Sequence, residues 1–544
     1  MKKIIRIISL CALCAIICSS LLAQDPKEKQ PQKQSENKTS NKSQDSTTNL
    51  TLPGLYVDGA FHSKMDLYDT VYWIAQNAQS DGNYTIVIGE DAASPSITLD
   101  CGGKKVSISL KSSGGERKVT FATRSPSIYL FTVKTGVTFI LEEGVMLVGL
   151  QSASRPLVGV DGGEFIMNGG VIKDSIVDSG KLGELYFGGG VYISSGIFTM
   201  NGGTISGNSS TGGGGVYVGN EGAFTMNNGT ISGNTGGGVW VHSGRFTMND
   251  GAINGNKSTN YRYLDQPSKL MGGYTGGGVY VIGGTFKMSG GIINNNYSEF
   301  GGGGVCVESG SGTSGGMFEM INGTISGNSS PRNNSGGVYV GKGGTFTMNN
   351  GTIGENTGGV GVFGGTFKMT DGTIIGNTKL GVSVGGTASF VGNTGSIPSR
   401  SILDATKHGG IFTMVNGTIS GNRSGGVYVS DYSKFVMTNG VISGNTASNG
   451  GGVHIVVGGT FEMTNGTISG NTATDSGGGV FAGGTFIKSG DGGIIYGSDA
   501  TKEQANKANK YGHAVYSKNG SRDTTARVNM ALDSTKVGAA GGWE

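Results

Sequence analysis

Gly214-Gly215-Val216-Tyr217-Val218, followed after five residues by Phe224-Thr225-Met226-Asn227-Asn228-Gly229-Thr230-Ile231-Ser232-Gly233-Asn234, is the stretch that decides the fold. It contains three short runs of alternating character: Val-x-Val, Phe-x-Met and Thr-Ile-Ser. Gly or Asn-Gly bounds each run. Alternation of period two sends successive side chains to opposite faces of a strand. Strands of about three residues have almost no ladder of their own, so a hairpin meander would not hold. The stretch recurs, however. Phe-x-Met stands at Phe165, Phe198, Phe224, Phe246, Phe286, Phe318, Phe346, Phe367, Phe412, Phe435 and Phe461, with a degraded copy at Phe486. The shortest spacings, 21 to 26 residues, set the unit, and the longer ones carry insertions, chiefly 257–275 and 387–408. Three strands per turn of a coil solve the ladder problem, because each then pairs with its counterpart one coil away, about 4.8 Å distant. This predicts an all-β fold, a parallel β-helix. Val216, Val218, Phe224, Met226 and Ile231 point inward, and Tyr217 and Thr225 outward.

Composition agrees with a folded array. Of 544 residues 106 are glycine, one in five against about 7 % in ordinary chains. Collagen is excluded by 9 prolines and the lack of a triplet period. A disordered linker is excluded by 21 Phe, 19 Tyr and 17 Met. The glycines therefore mark corners, where positive φ and close backbone approach are needed. Asn ends each unit, at Asn208, Asn234, Asn256, Asn296, Asn328, Asn356, Asn377, Asn422, Asn445 and Asn471. Asn tolerates the left-handed conformation and passes an amide hydrogen bond to its equivalent in the next coil, so a structural ladder is expected. Sequons such as Asn228-Gly229-Thr230 read as by-products of the repeat.

Residues 1–23 read as an export signal, with Lys2, Lys3 and Arg6 before an apolar stretch and Ala23 at the cleavage point. Cys14 and Cys18 inside it are the candidate lipid anchors, although Leu13 and Ile17 are poor predecessors for lipidation. Residues 24–50 form a polar tether. Residues 51–150 carry a capping helix at 65–80, with Leu67, Val71, Ile74, Ala75 and Ala78 on one face, and then irregular first coils. The repeats fill 151–500, and 501–544 read as a C-terminal cap. Cys101 and Cys306 lie too far apart in sequence to pair in a solenoid. A net charge of +3 with 14 % charged residues calls for no nucleic acid and no acidic membrane.

With these residues in view, the chain resembles bacterial right-handed parallel β-helix surface proteins. The Gly-Gly-Thr-Ile and Phe-x-Met-Asn-Gly pattern is similar to repeats of polymorphic outer-membrane proteins and autotransporter passengers. The resemblance covers about 161–496. It implies a right-handed coil and an exported location: cell surface, outer membrane, secreted or periplasmic. Only about 50 residues follow the last repeat, too few for the membrane barrel of an autotransporter.

The fold also carries polysaccharide lyases and hydrolases. Their clustered acids, Gly-His-Gly and Arg-x-Lys are missing, and Glu319 and Glu462 read as solvated surface charges. His62, His242, His408, His454 and His513 form no ligand set, so no metal and no cofactor are expected. The most informative surface feature is the middle residue of Val-x-Val: Tyr192, Tyr217, Trp240, Tyr280, Cys306, Tyr339, Gly361, Ser383, Tyr428, His454 and Phe481. In register it forms an outward aromatic stripe, read either as stacking that stiffens the coil or as a platform for sugar rings or a partner protein. A Thr stripe (Thr199, Thr225, Thr247, Thr347, Thr413) is interrupted too often to suggest ice binding. The expectation is a monomeric, non-enzymatic surface for adhesion or for host, matrix-protein or glycan interaction, with a polysaccharide-degrading enzyme as the alternative.

Overall fold

The computed structural model describes residues 52–122, 129–151, 155–177, 187–258, 275–310, 314–333, 335–385, 409–498, 500–517 and 542–543. The signal, the tether, Cys14, Cys18, His408, the 387–408 insertion and most of the 257–275 insertion lie outside the described residues, as does most of 518–544.

Forty-three strands join in one continuous, mainly parallel sheet that winds as a coil. Each repeat supplies a Val-x-Val strand to a first wall, a Phe-x-Met strand to a second and a Thr-Ile-Ser strand to a third. Register is identity on identity: Val216 pairs with Val239, Phe224 with Phe246, Met226 with Met248 and Ile231 with Ile253. Val216, Val218, Phe224, Met226 and Ile231 are all buried. From Phe198 to Phe461 the Phe rings stack with centroids 4.6 to 4.8 Å apart and planes 5 to 7° from parallel. That spacing is the strand repeat itself, so backbone pairing and ring stacking require the same geometry.

The coil starts earlier than the repeat is legible. Gly82–Ile88 pairs in parallel with Val106–Ser112, which pairs with Val137–Leu141, which pairs in turn with the Phe165 strand. At the first edge, helix α1 (Leu67–Asn77) buries Leu67, Thr70, Val71 and Ile74, and Asp66 caps it by accepting from Asp69 N at 2.8 Å. A hairpin of Gly54–Val57 and Ala60–Ser63 adds what the sequence pattern did not announce. Its first strand pairs antiparallel with Gly82–Ile88 and closes that edge.

The other end also differs from expectation. Residues 501–517, read as the start of a cap, supply another coil. Lys507–Ala508 pairs with Thr472–Ala473, and Val515–Ser517 with Val480–Ala482. The Phe and Gly-Gly markers are gone there, but Asn506, Ala514 and Val515 are kept as buried residues.

Corners follow a finer rule than the one expected. The left-handed residue is not the recurrent Asn but the one before it: Gly207, Gly233, Gly255, Gly327, Gly376, Gly421, Gly444 and Gly470 have φ of 62 to 65°. Asn295 (54°) and Glu355 (59°) occupy the same place in two coils. The second corner is tighter. At Gly229 (φ 100°) an added Cβ would lie 2.6 Å from Met200 Cε and 2.9 Å from the Gly203 carbonyl oxygen.

Truncating one ring leaves a void that its stacked neighbours cannot fill. Phe346→Ala is expected to lower the unfolding free energy by about 3–5 kcal/mol, whereas Thr347→Ala on the outer face should stay within about 0.5 kcal/mol. Urea unfolding of the two variants, followed by far-ultraviolet circular dichroism, checks this.

Candidate functional site: the outer face of the first wall

The middle residues of Val-x-Val do align. Tyr192 pairs with Tyr217, Tyr217 with Trp240, Trp240 with Tyr280, Tyr280 with Cys306 and Cys306 with Tyr339. Beyond Gly361 and Ser383 the row resumes as Tyr428, His454, Phe481 and Tyr516. It is not outward over its whole length, and here the expectation needs correction. Tyr217, Tyr280 and Tyr339 are only 5 %, 6 % and 2 % exposed, and Cys306 is fully buried. Tyr192 and Trp240 are half-buried.

The cause lies in segments that lead into several of these Val-x-Val strands. They fold back against the row, and glycine lets them approach. An added Cβ on Gly212 would fall 1.8 Å from the Trp240 ring, and one on Gly361 2.0 Å from Ser335 Oγ. Phe187 stacks on Tyr217 at 4.8 Å and meets Trp240 edge-on at 5.3 Å. Tyr280, Cys306, Tyr339 and Phe363, with Trp240 and Ile282 packed against them, form a second apolar cluster outside the main core. This stretch is structural packing. Sequence periodicity correctly put these residues outside the coil but carried no signal that chain would cover them.

One acid is caught in that cluster. Tyr280 Oη donates to Glu308 Oε1 at 2.6 Å. Burial pushes the Glu308 carboxyl up to about 7, with the Tyr280 hydrogen bond opposing the shift. The same burial raises the Tyr280 phenol and the Cys306 thiol. Gly341 roofs the carboxyl: a Cβ there would lie 2.8 Å from Oε2. Glu308 is thus half-buried and held against Tyr280 within the cluster.

A longer half-buried aromatic row, flanked by exposed residues, lies toward the C-terminal end. Tyr428, His454, Phe481 and Tyr516 are half-buried, at centroid separations of 5.3, 4.8 and 5.2 Å. Tyr511 stacks beside Tyr516 at 5.9 Å and is 46 % exposed. Tyr432 and Val457, in the turns leaving the Tyr428 and His454 strands, are exposed as well. Burial between its two aromatic neighbours lowers His454 to about 4, so the imidazole is neutral at physiological pH.

The remaining candidates fall apart from one another. Glu319 accepts from Asn349 Nδ2 at 3.0 Å, and Glu462 pairs with Lys434 at 2.8 Å. His62 lies against Trp73, His242 hydrogen-bonds Tyr217 Oη at 2.9 Å, and His513 accepts from Ala508 N. Cys101 and Cys306 are both buried free thiols. No group of three metal-ligating side chains occurs among the described residues.

The Asn residues form a hydrogen-bonded column. Each is buried, and each passes its backbone N–H and Nδ2 to the Oδ1 of the next. The chain runs from Asn208 through Asn234, Asn256, Asn296, Asn328, Asn356, Asn377, Asn422 and Asn445 to Asn471. It ends on Asn506, a member that sequence reading missed because its coil lacks the other markers. A second, mostly exposed column also went unread: Asn249 donates to Asn227, Asn227 to Asn201, Asn201 to Asn168 and Asn168 to Glu142. Its signal was the residue after Phe-x-Met.

Comparison with known proteins agrees with this geometry. Residues 401–539 match a family model described as a right handed beta helix region. The chain is a right-handed parallel β-helix protein. The match spans about a quarter of the chain. No curated protein and no solved structure matches it.

The Glu308 carboxyl gives a pH signature. Its folded value of about 7 lies above the usual 4.5, so the stability it contributes is full below about 4.5 and is lost as pH rises through 7. Glu308→Gln, which keeps a neutral acceptor for Tyr280, is therefore expected to flatten the decline in stability between about pH 5 and about pH 8. Thermal unfolding of both proteins across that range measures it.

Proposed function

We propose that the protein is an exported, non-enzymatic β-helix that presents an extended repetitive surface for adhesion, to a host or matrix protein or to a glycan. The observation that carries this reading is the half-buried row Tyr428, His454, Phe481 and Tyr516, with the exposed Tyr511 beside it. Aromatic side chains half-set into a rigid wall offer large contact area at low entropic cost, which suits both sugar faces and protein surfaces. The wall beneath them is held coil to coil by parallel pairing, so the row is already arranged before a partner arrives. The acids on the neighbouring wall support the same reading, since Glu319 and Glu462 are each engaged singly with a neighbour in the adjacent coil. Export, and attachment through Cys14 or Cys18 where it occurs, follow from the signal-like residues 1–23 and from the likeness of the repeats to bacterial surface passengers.

Replacing Tyr428, Phe481 and Tyr516 together by Ser leaves the inward Val, Phe, Met and Ile columns untouched. Binding of this variant to an immobilised glycan array and to a panel of matrix proteins is expected to fall at least about tenfold, as for loss of an aromatic hot spot. The circular dichroism spectrum should be unchanged. Equal binding by the variant and the parent would contradict the assigned surface, and turnover of polygalacturonate by the purified protein would contradict the non-enzymatic reading.

A further inference from the structure

The second corner of the coil carries an Asn-Gly pair in many repeats, and its geometry is chemically specific. Gly229 N donates to Asn228 Oδ1 at 2.7 Å, Gly351 N to Asn350 Oδ1 at 2.8 Å and Gly466 N to Asn465 Oδ1 at 2.8 Å. The three Asn side chains are exposed. The glycines sit at φ of 100, 102 and 101°. Each contact holds the carboxamide folded back over its own glycine nitrogen, the atom that must reach Cγ. Glycine carries no Cβ to obstruct the approach.

From this geometry we infer that Asn228, Asn350 and Asn465 are sites of spontaneous, structure-selected deamidation. The glycine amide nitrogen, deprotonated by solvent base, attacks the asparagine Cγ. A nitrogen–Cγ bond forms, the Cγ–Nδ2 bond breaks, and Nδ2 takes a proton and leaves as ammonia. Water then opens the cyclic imide at either carbonyl, giving aspartate or isoaspartate. No oxidant, reductant or enzyme is involved.

Two observations separate this from the chemistry of any Asn-Gly pair. First, Asn168 and Asn201 also precede glycine, but their carboxamides are drawn sideways into the exposed Asn column. Asn201 Nδ2 donates to Asn168 Oδ1 at 2.9 Å and Asn227 Nδ2 to Asn201 Oδ1 at 2.8 Å. Their amides are engaged with neighbouring coils rather than with their own glycine. Second, the aspartate product is already present in the fold. Asp250 and Asp371 hold the same corner position, accepting from Gly251 N and Gly372 N at 2.8 Å, with glycine φ of 96 and 102°. Conversion to aspartate therefore costs the coil little and places a negative charge on one edge. Conversion at all three sites takes the formal net charge from +3 to 0.

The test is peptide mapping by mass spectrometry of the purified full chain, incubated at 37 °C and mildly alkaline pH. The expected result is conversion at Asn228, Asn350 and Asn465 at least about tenfold faster than at Asn168 and Asn201, with all five converting at similar rates in concentrated urea. Equal native-state rates at the five positions would overturn the inference, as would faster conversion at Asn168 and Asn201. The variant Asn228→Asp should keep the parent's unfolding midpoint, and a lowered midpoint would overturn the claim that the product fits the corner.

Discussion

A strand of three or four residues has too few hydrogen bonds to exist alone, and nearly every strand of the repeat array is that short. Each is held only by its counterparts in the coils on either side. Everything else in the molecule answers to that dependence. If coils must pair position for position, each position must hold a side chain that packs against copies of itself. Phe stacks on Phe at the strand spacing, Ile sits on Ile, and the corners turn on glycine where the left-handed region or a close approach excludes a side chain. One glycine in five is the compositional trace of this requirement rather than of disorder.

The buried Asn column meets the same dependence at the corner, where no strand pairs. Asn356 illustrates it: Oδ1 accepts from Asn328 N and Asn328 Nδ2, while Nδ2 donates to the carbonyl oxygen of Ile325 and to Asn377 Oδ1. All of the carboxamide's principal bonding capacity is used in a dry site. The residue before it supplies the left-handed turn, which is why Gly precedes Asn in most copies, and why Glu355, at φ 59°, marks a local departure from the rule.

The coil, its register and its inward columns were legible because repetition of short alternating runs admits few other structures. The Asn column was legible for the same reason. What escaped was governed by contacts that leave no period. Tyr217, Tyr280, Cys306 and Tyr339 are buried, so an expected outward stripe becomes a second apolar cluster in its middle, with half-buried aromatic residues at Tyr192 and Trp240 and again from Tyr428 onward. The closing hairpin at Gly54–Val57 and the coil carrying Asn506 were hidden because neither repeats the Phe or Gly-Gly markers. The proposed adhesive surface is accordingly narrower than the stripe the sequence suggested, and it lies at one end of a scaffold whose rigidity comes from the columns beneath it.

The central claim is that each coil is held by its neighbours, at the corner through the buried Asn column. Native-state hydrogen exchange on Asn356→Ala tests it most directly, because a repeat array can open locally and exchange reports each coil separately. Loss of that side chain strands the amides of Asn328 inside the wall. The account predicts that coils around Asn328 and Asn377 lose about 2–3 kcal/mol of protection, while coils around Asn208 and Asn471 keep theirs. Unchanged protection next to the substitution would contradict it.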